Sequence, residues 1–149
     1  MFTATIETEI MIAASPEAIW AVLTDFDAYP NWNPFIRRIE GSAVVGGRLR
    51  IELTQSPDAK PMRFSPRVLA TEPARTLRWL GHVIMPGLLD GEHGFHLQAA
   101  PGGYTRFQQD ERFSGILVPL FRGRLQTETA SSFKAMNSAL KSRVEAQRL

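Results

Sequence analysis

The stretch from Leu120 to Arg148 constrains this chain more than any other. It contains no proline, has no glycine after Gly123, and is rich in Ala, Leu, Lys, Arg, Gln and Glu, all good helix formers. Phe121, Leu125, Thr129, Ser132, Phe133, Met136 and Leu140 recur at steps of three and four and so share one stripe. Arg122, Gln126, Lys134, Lys141 and Glu145 fall on the opposite face. A helix of roughly 25 residues is about 38 Å long, the span of a small domain, and its stripe must be covered. The chain before it carries mostly strand patterns, so a sheet is the expected partner. Thr129 and Ser132 are small and weakly polar in mid-stripe, and Met136 fills irregular space. That leaves two arrangements open: a helix roofing a cavity, or a helix packed on a sheet whose large side chains fill the gap.

A length of 149 residues fits a single domain, 1–149, with room for a real core. No run approaches the roughly 18 apolar residues that span a bilayer, so no stable membrane insertion is expected. The N-terminus, MFTATIETEIMIAAS, has acidic residues and no basic ones before its apolar part, unlike a secretory signal, and a cytoplasmic location is expected. The absence of cysteine rules out disulfides and thiolate metal sites. The net charge is +2, and acids interleave with arginines such as Arg48, Arg50, Arg63, Arg67, Arg75 and Arg78. A concentrated basic face is missing, so no nucleic-acid partner is expected. A monomer and a homodimer both remain open.

In chain order, residues 2–12 alternate as a strand, with Phe2, Ala4, Ile6, Thr8, Ile10 and Ile12 on the dry side. Ser15-Pro16-Glu17 is a strong helix start, and the helix should stop near Asp25. The segment from Asp27 to Phe35 has prolines at 30 and 34 and crowds Tyr29, Trp32 and Phe35 together, which suits a short helical turn. Strand patterns follow at Phe35–Gly41, Arg48–Leu53, Met62–Glu72 (interrupted at Pro66), Thr76–Leu80, Leu88–Ala100 and Tyr104–Phe113. Gln55–Pro61 reads as a loop, and Pro101-Gly102-Gly103 is the clearest hairpin turn. One strand, one or two short helices, about six strands and a long helix make an antiparallel α+β chain whose sheet must curl to be covered by one helix.

Three groups of residues then resemble a known superfamily. They are the first strand leading into Ser15-Pro16-Glu17-Ala18-Ile19-Trp20; Asp25-Phe26-Asp27 running into Tyr29-Pro30-Asn31-Trp32-Asn33-Pro34-Phe35; and Asp90-Gly91-Glu92-His93-Gly94-Phe95 with Gly103-Tyr104-Thr105-Arg106-Phe107 and Glu111-Arg112-Phe113-Ser114-Gly115. The whole chain is similar to the SRPBCC superfamily, which includes START lipid-transfer domains, birch-pollen-allergen-like (Bet v 1) proteins and bacterial polyketide cyclase/dehydrase-like proteins. The resemblance implies a helix-grip fold. In it a curved seven-stranded antiparallel sheet wraps around the long C-terminal helix, two short helices follow strand 1, and a cavity lies between. The superfamily holds carriers, enzymes and sensors on one scaffold, so function must come from the site.

Strand parity nominates the inward groups. Leu77, Trp79, Gly81 and Val83 share one face; so do His93, Phe95 and Leu97; so do Thr105, Phe107, Gln109, Glu111 and Phe113. His93 and His96 point to opposite faces, and there is no H-E-x-x-H, phosphate-cradling or nucleophile-elbow motif, so neither metal nor cofactor is expected. An ionised Glu111 facing inward needs a partner, such as His93 or Arg124. His93, Gln109 and Glu111 could be polar ligand anchors, an acid–base pair or a satisfied structural network. The expected ligand-binding set is these three with Trp32, Phe35, Trp79, Phe95, Phe107, Leu125, Thr129, Ser132, Phe133 and Met136. The expected function is binding of a small hydrophobic molecule, a lipid or polyketide-like compound, as carrier or sensor. A cyclase or dehydratase would instead use His93 and Glu111 to move protons, and a protein-interaction module would show an exposed apolar patch and a filled cavity.

Overall fold

The computed structural model describes residues 2–83 and 85–147. Strand β1, Thr3–Ile12, alternates as its sequence requires: Ala4, Ile6, Thr8 and Ile12 are buried, and Thr5, Glu7 and Glu9 are exposed. Helix α1, Pro16–Leu23, opens with the Ser15 side chain accepting a hydrogen bond from the Ala18 amide at 3.2 Å. Such a cap contributes about 1 kcal/mol. Ile19, Val22 and Leu23 bury its apolar face. A short 3-10 helix, Phe26–Asn31, then drives Tyr29 into the core, edge-on to Phe26 and Trp32. The Tyr29 hydroxyl donates to the Leu23 carbonyl at 2.6 Å, and burial, with the Asp25 charge adding to it, pushes the phenol well above its ordinary range.

The remaining strands are β2 (Ile36–Glu40), β3 (Arg50–Leu53), β4 (Met62–Phe64), β5 (Arg67–Glu72), β6 (Thr76–Val83), β7 (Leu89–Ala99) and β8 (Thr105–Ser114). They form two antiparallel sheets, β2-β3-β4 and β1-β8-β7-β6-β5. The segment before β3 stitches the two together: the Gly46 amide donates to the Val68 carbonyl, Val68 to Gly47 and Leu49 to Pro66, at 2.8 to 2.9 Å. The result is one curved surface. Its described residues hold eight strands where seven were expected, because the Met62–Glu72 pattern breaks at Ser65-Pro66 into β4 and β5. Pro66 has no N–H for a ladder; its carbonyl accepts from Leu49 across the seam, and the two fragments serve different sheets. The β7–β8 hairpin turns at Pro101–Gly103, where Gly102 and Gly103 take positive φ of 78° and 81°.

Helix α2 runs Val118–Ala146, so it begins before Leu120 and holds Pro119 in its first turn, where the missing N–H is harmless. The expected end at Arg148 lies outside the described residues. Thr129, Ser132, Phe133, Met136 and Leu140 of the stripe are buried, joined by Asn137 and Val144, and the helix packs on β1, β8 and α1. Lys141 and Glu145, expected on the face opposite the stripe, clasp the sheet edge. Lys141 Nζ donates to the Met11 carbonyl at 3.1 Å, and the Ala13 amide donates to Glu145 Oε2 at 2.8 Å. The backbone of edge strand β1 passes beneath that end of the helix, and its polar groups need partners.

Candidate functional site

The N-terminal half of α2 does not sit down on the sheet as its C-terminal half does. Beneath it lies a cavity of about 860 Å³, within the range of small-molecule sites. Its roof is Leu117, Phe121, Arg124, Leu125, Glu128 and Thr129 of α2 and the residues leading into it. One wall is Ile51 and Leu53 of β3, Met62 and Phe64 of β4, and the Gln55–Lys60 loop; the other is Trp79, Gly81, His82 and Val83 of β6 with Leu89, Gly91 and His93 of β7. Glu111 and Phe113 of β8 and Phe35 complete the lining. Two strand glycines make room. A Cβ on Gly81 would meet the Phe64 ring at 3.0 Å, and a Cβ on Gly91 would collide with Glu111 Oε2. The segment entering α2 is tied down, since Ile116 and Leu117 amides donate to the Gly87 and Leu88 carbonyls at 3.1 and 3.0 Å.

At the inner end of this largely apolar chamber is a polar chain. His93 is buried, stacked on Trp79 with ring centroids 5.1 Å apart and flanked by Phe95 and Phe133. Its Nδ1 lies 2.9 Å from Glu111 Oε1 and its Nε2 lies 2.9 Å from Gln109 Oε1. Gln109 Nε2 donates to Asn137 Oδ1 at 2.8 Å, Asn137 Nδ2 donates to Thr8 Oγ1 at 2.9 Å, and the Thr8 hydroxyl donates to the Gln109 carbonyl at 3.0 Å. Cross-strand register sets this up: His93 is opposite Glu111 in the β7–β8 ladder, and Thr8 is opposite Gln109 in β1–β8. Nearer the rim, His82 Nδ1 lies 2.7 Å from Asp90 Oδ1, and Arg124 pairs with Glu128 at 3.4 Å. An apolar body fits the chamber, and the pair at its end can orient one polar group.

Of the residues nominated from sequence, Phe35, Trp79, His93, Glu111, Leu125 and Thr129 lie on the cavity wall. Phe95, Phe107, Phe133 and Met136 sit behind it in the core. Gln109 is buried behind the His93 ring, Trp32 packs against Tyr29, and Ser132 is bonded to Gln55 Oε1 at 2.5 Å. Phe113, read from parity as facing inward but left out of the ligand-binding set, lies on the wall too, and parity could have nominated Gly91, which shares the face of His93. Asn137 and Thr8 complete the polar chain and were missed as site residues. An Asn inside a helical stripe was the available signal, because that side chain is ill-suited to helix interiors unless it has a partner. Among the described residues no group of three His, Asp or Glu is arranged to hold a metal ion. Among the described residues no helix is long and apolar enough to cross a membrane.

Comparison with solved structures agrees with this architecture. A START superfamily protein from Mycobacterium smegmatis superposes with a TM-score of 0.77 at 21% identity, covering 96% of this chain and 98% of that one. A norcoclaurine synthase from Thalictrum gives 0.75 at 15% identity, covering 99% and 97%. The di-domain ARO/CYC protein BexL of the BE-7585A biosynthetic pathway gives 0.78 at 12% identity, covering 97% of this chain and 50% of that one. At these identities the likeness concerns the fold. No curated protein matches the sequence. The family model described as polyketide cyclase / dehydrase and lipid transport matches residues 3–145, and with its helix-grip fold of START and Bet v 1 type the chain belongs to that family.

Proposed function

We propose that this protein binds a small hydrophobic molecule, a lipid or polyketide-like compound, between α2 and the sheet, as a carrier or sensor. The observation that carries this reading is the chamber of about 860 Å³, whose wall is mostly apolar, with Phe35, Leu53, Phe64, Trp79, Phe113, Phe121 and Leu125 among its lining and polar side chains such as His93, Glu111 and Arg124 set between them. A ligand that fills an apolar chamber of this size gains dispersion contacts with its wall. The partner is a small molecule; a protein-interaction module of this scaffold was expected to have its cavity filled, and the open chamber weighs against it. A second reading, cyclase- or dehydratase-like chemistry, draws on the His93–Glu111 pair at the cavity end, 2.9 Å apart.

Native mass spectrometry of the purified protein, followed by denaturation and identification of released compounds, tests the binding reading. A stoichiometric hydrophobic adduct is the expected result. A clean ligand-free mass, together with no thermal shift from a broad panel of hydrophobic compounds, would sink it.

A further inference from the structure

The polar chain behind the cavity has a readable direction, and it decides what the cavity offers a ligand. The chain ends on an atom of fixed character: the Gln109 carbonyl oxygen, which only accepts. The Thr8 hydroxyl, 3.0 Å away, must therefore spend its hydrogen there. Its lone pair is left to accept, so the Asn137 group at 2.9 Å is the amide Nδ2. Asn137 then turns Oδ1 to Gln109, which must answer with Nε2, at 2.8 Å. That leaves Gln109 Oε1 facing His93 Nε2 at 2.9 Å, and this nitrogen must carry hydrogen. With Nε2 protonated, the 2.9 Å contact between His93 Nδ1 and Glu111 Oε1 holds one further proton, on the nitrogen as an ion pair or on the oxygen as a neutral pair.

Both placements leave Glu111 Oε2 the same. It is an acceptor, whether as carboxylate oxygen or as the carbonyl oxygen of the acid. Oε2 lies over Gly91, a cavity-wall residue, and has no hydrogen-bond partner among the described residues; it is not among their fully enclosed unpartnered polar atoms. We propose that Glu111 Oε2 is a hydrogen-bond-accepting anchor, held by the directional chain Thr8–Asn137–Gln109–His93. The cavity therefore selects hydrophobic molecules that present a hydroxyl, an alcohol or phenol, over those ending in an ether or a carboxylate. The inference rests on the cavity-binding reading and narrows its ligand class. Thr8, Asn137 and Gln109 are positioning residues; Glu111 is the group that touches the ligand. Neither a ligand ether nor a ligand carboxylate has a hydrogen to offer Oε2.

The test uses para-octylphenol, its methyl ether and para-octylbenzoic acid as probes, with binding followed by tryptophan fluorescence, since Trp79 lines the cavity. The phenol is expected to bind about tenfold or more tighter than the ether, with the benzoate weakest. Glu111→Leu should bring phenol and ether to equal affinity. An imidazole-nitrogen NMR spectrum of the wild-type protein reads the chain directly and needs no variant; Nε2 of His93 should carry hydrogen. A bare Nε2 overturns the inference. Equal affinities of phenol and ether for the wild type overturn it while leaving the cavity reading standing. Failure of all three probes to bind overturns the inference, and the cavity reading then falls only if native mass spectrometry and the broad panel also find no ligand.

Discussion

The two halves of α2 are one continuous helix with two different jobs. From Ser132 to Val144 it buries Ser132, Phe133, Met136, Asn137, Leu140 and Val144, and it packs on β1, β8 and α1. Between the buried Val118 and Thr129, from Pro119 to Glu128, it stands off the sheet: Phe121 and Leu125 are only half-buried, Leu120 is 75% exposed, and the space below is the cavity. Helix propensity does not separate the halves. What separates them is what faces them. The C-terminal half meets β1, whose inward Ile6, Thr8 and Ile12 reach it, whereas the N-terminal half faces the far ends of β6 and β7, where Gly81 and Gly91 withhold side chains. Stability should therefore concentrate in one half and binding in the other.

The sharpest break of that comparison is Phe133→Ala, which empties a fully buried site against Phe35 and His93. Urea unfolding should show a loss of about 3–5 kcal/mol. Next comes Asn137→Leu, which leaves Gln109 Nε2 and the Thr8 hydroxyl oxygen short of partners in the interior. It should cost about 1–3 kcal/mol by the same measurement, although the replacement is apolar and of similar size. Outside α2, Tyr29→Phe removes the 2.6 Å bond to the Leu23 carbonyl and should cost about 1 kcal/mol near neutral pH. Its pH dependence has a definite sign. The folded phenol titrates above its unfolded value of 10.0, so the unfolded chain gives up its proton first. Tyr29's contribution is complete below about pH 10 and is lost as pH rises beyond it; the wild-type advantage over Tyr29→Phe should shrink in that window. The smallest effect on stability is expected for Leu125→Ala on the roof, below about 1 kcal/mol, since the side chain already lies half open. The same variant should shift affinity for hydrophobic probes measurably. If Leu125→Ala cost as much stability as Phe133→Ala, the division of labour along α2 would be wrong.

Much of this was legible beforehand because it depends on period and local chemistry. The alternation in β1, the Ser15-Pro16 start of α1, the Pro101-Gly102-Gly103 turn and the stripe of α2 each follow from residues close in sequence. Parity placed His93 and Glu111 on dry faces, and cross-strand register then made them opposite neighbours. The break at Pro66 was visible as an interruption, but its outcome was not, because it depends on Leu49 reaching the Pro66 carbonyl across the seam. The roles of Lys141 and Glu145 were not legible for the same reason: the backbone groups they serve, at Met11 and Ala13, are distant in sequence.

By itself, then, the sequence determined an antiparallel α+β chain with a long C-terminal helix, and its parity put His93, Gln109 and Glu111 on the dry faces of their strands. Tertiary structure alone decided where the apolar stripe of α2 would pack and where it would stand clear. It also decided that Phe95, Phe107 and Phe133 support the chamber from behind, and that Thr8 and Asn137, far apart along the chain, close one hydrogen-bond chain on His93. The physical reason is range. Propensity, capping and parity act within a few residues, whereas a cavity and a directed polar chain are properties of surfaces brought together by closure of the whole sheet around the helix.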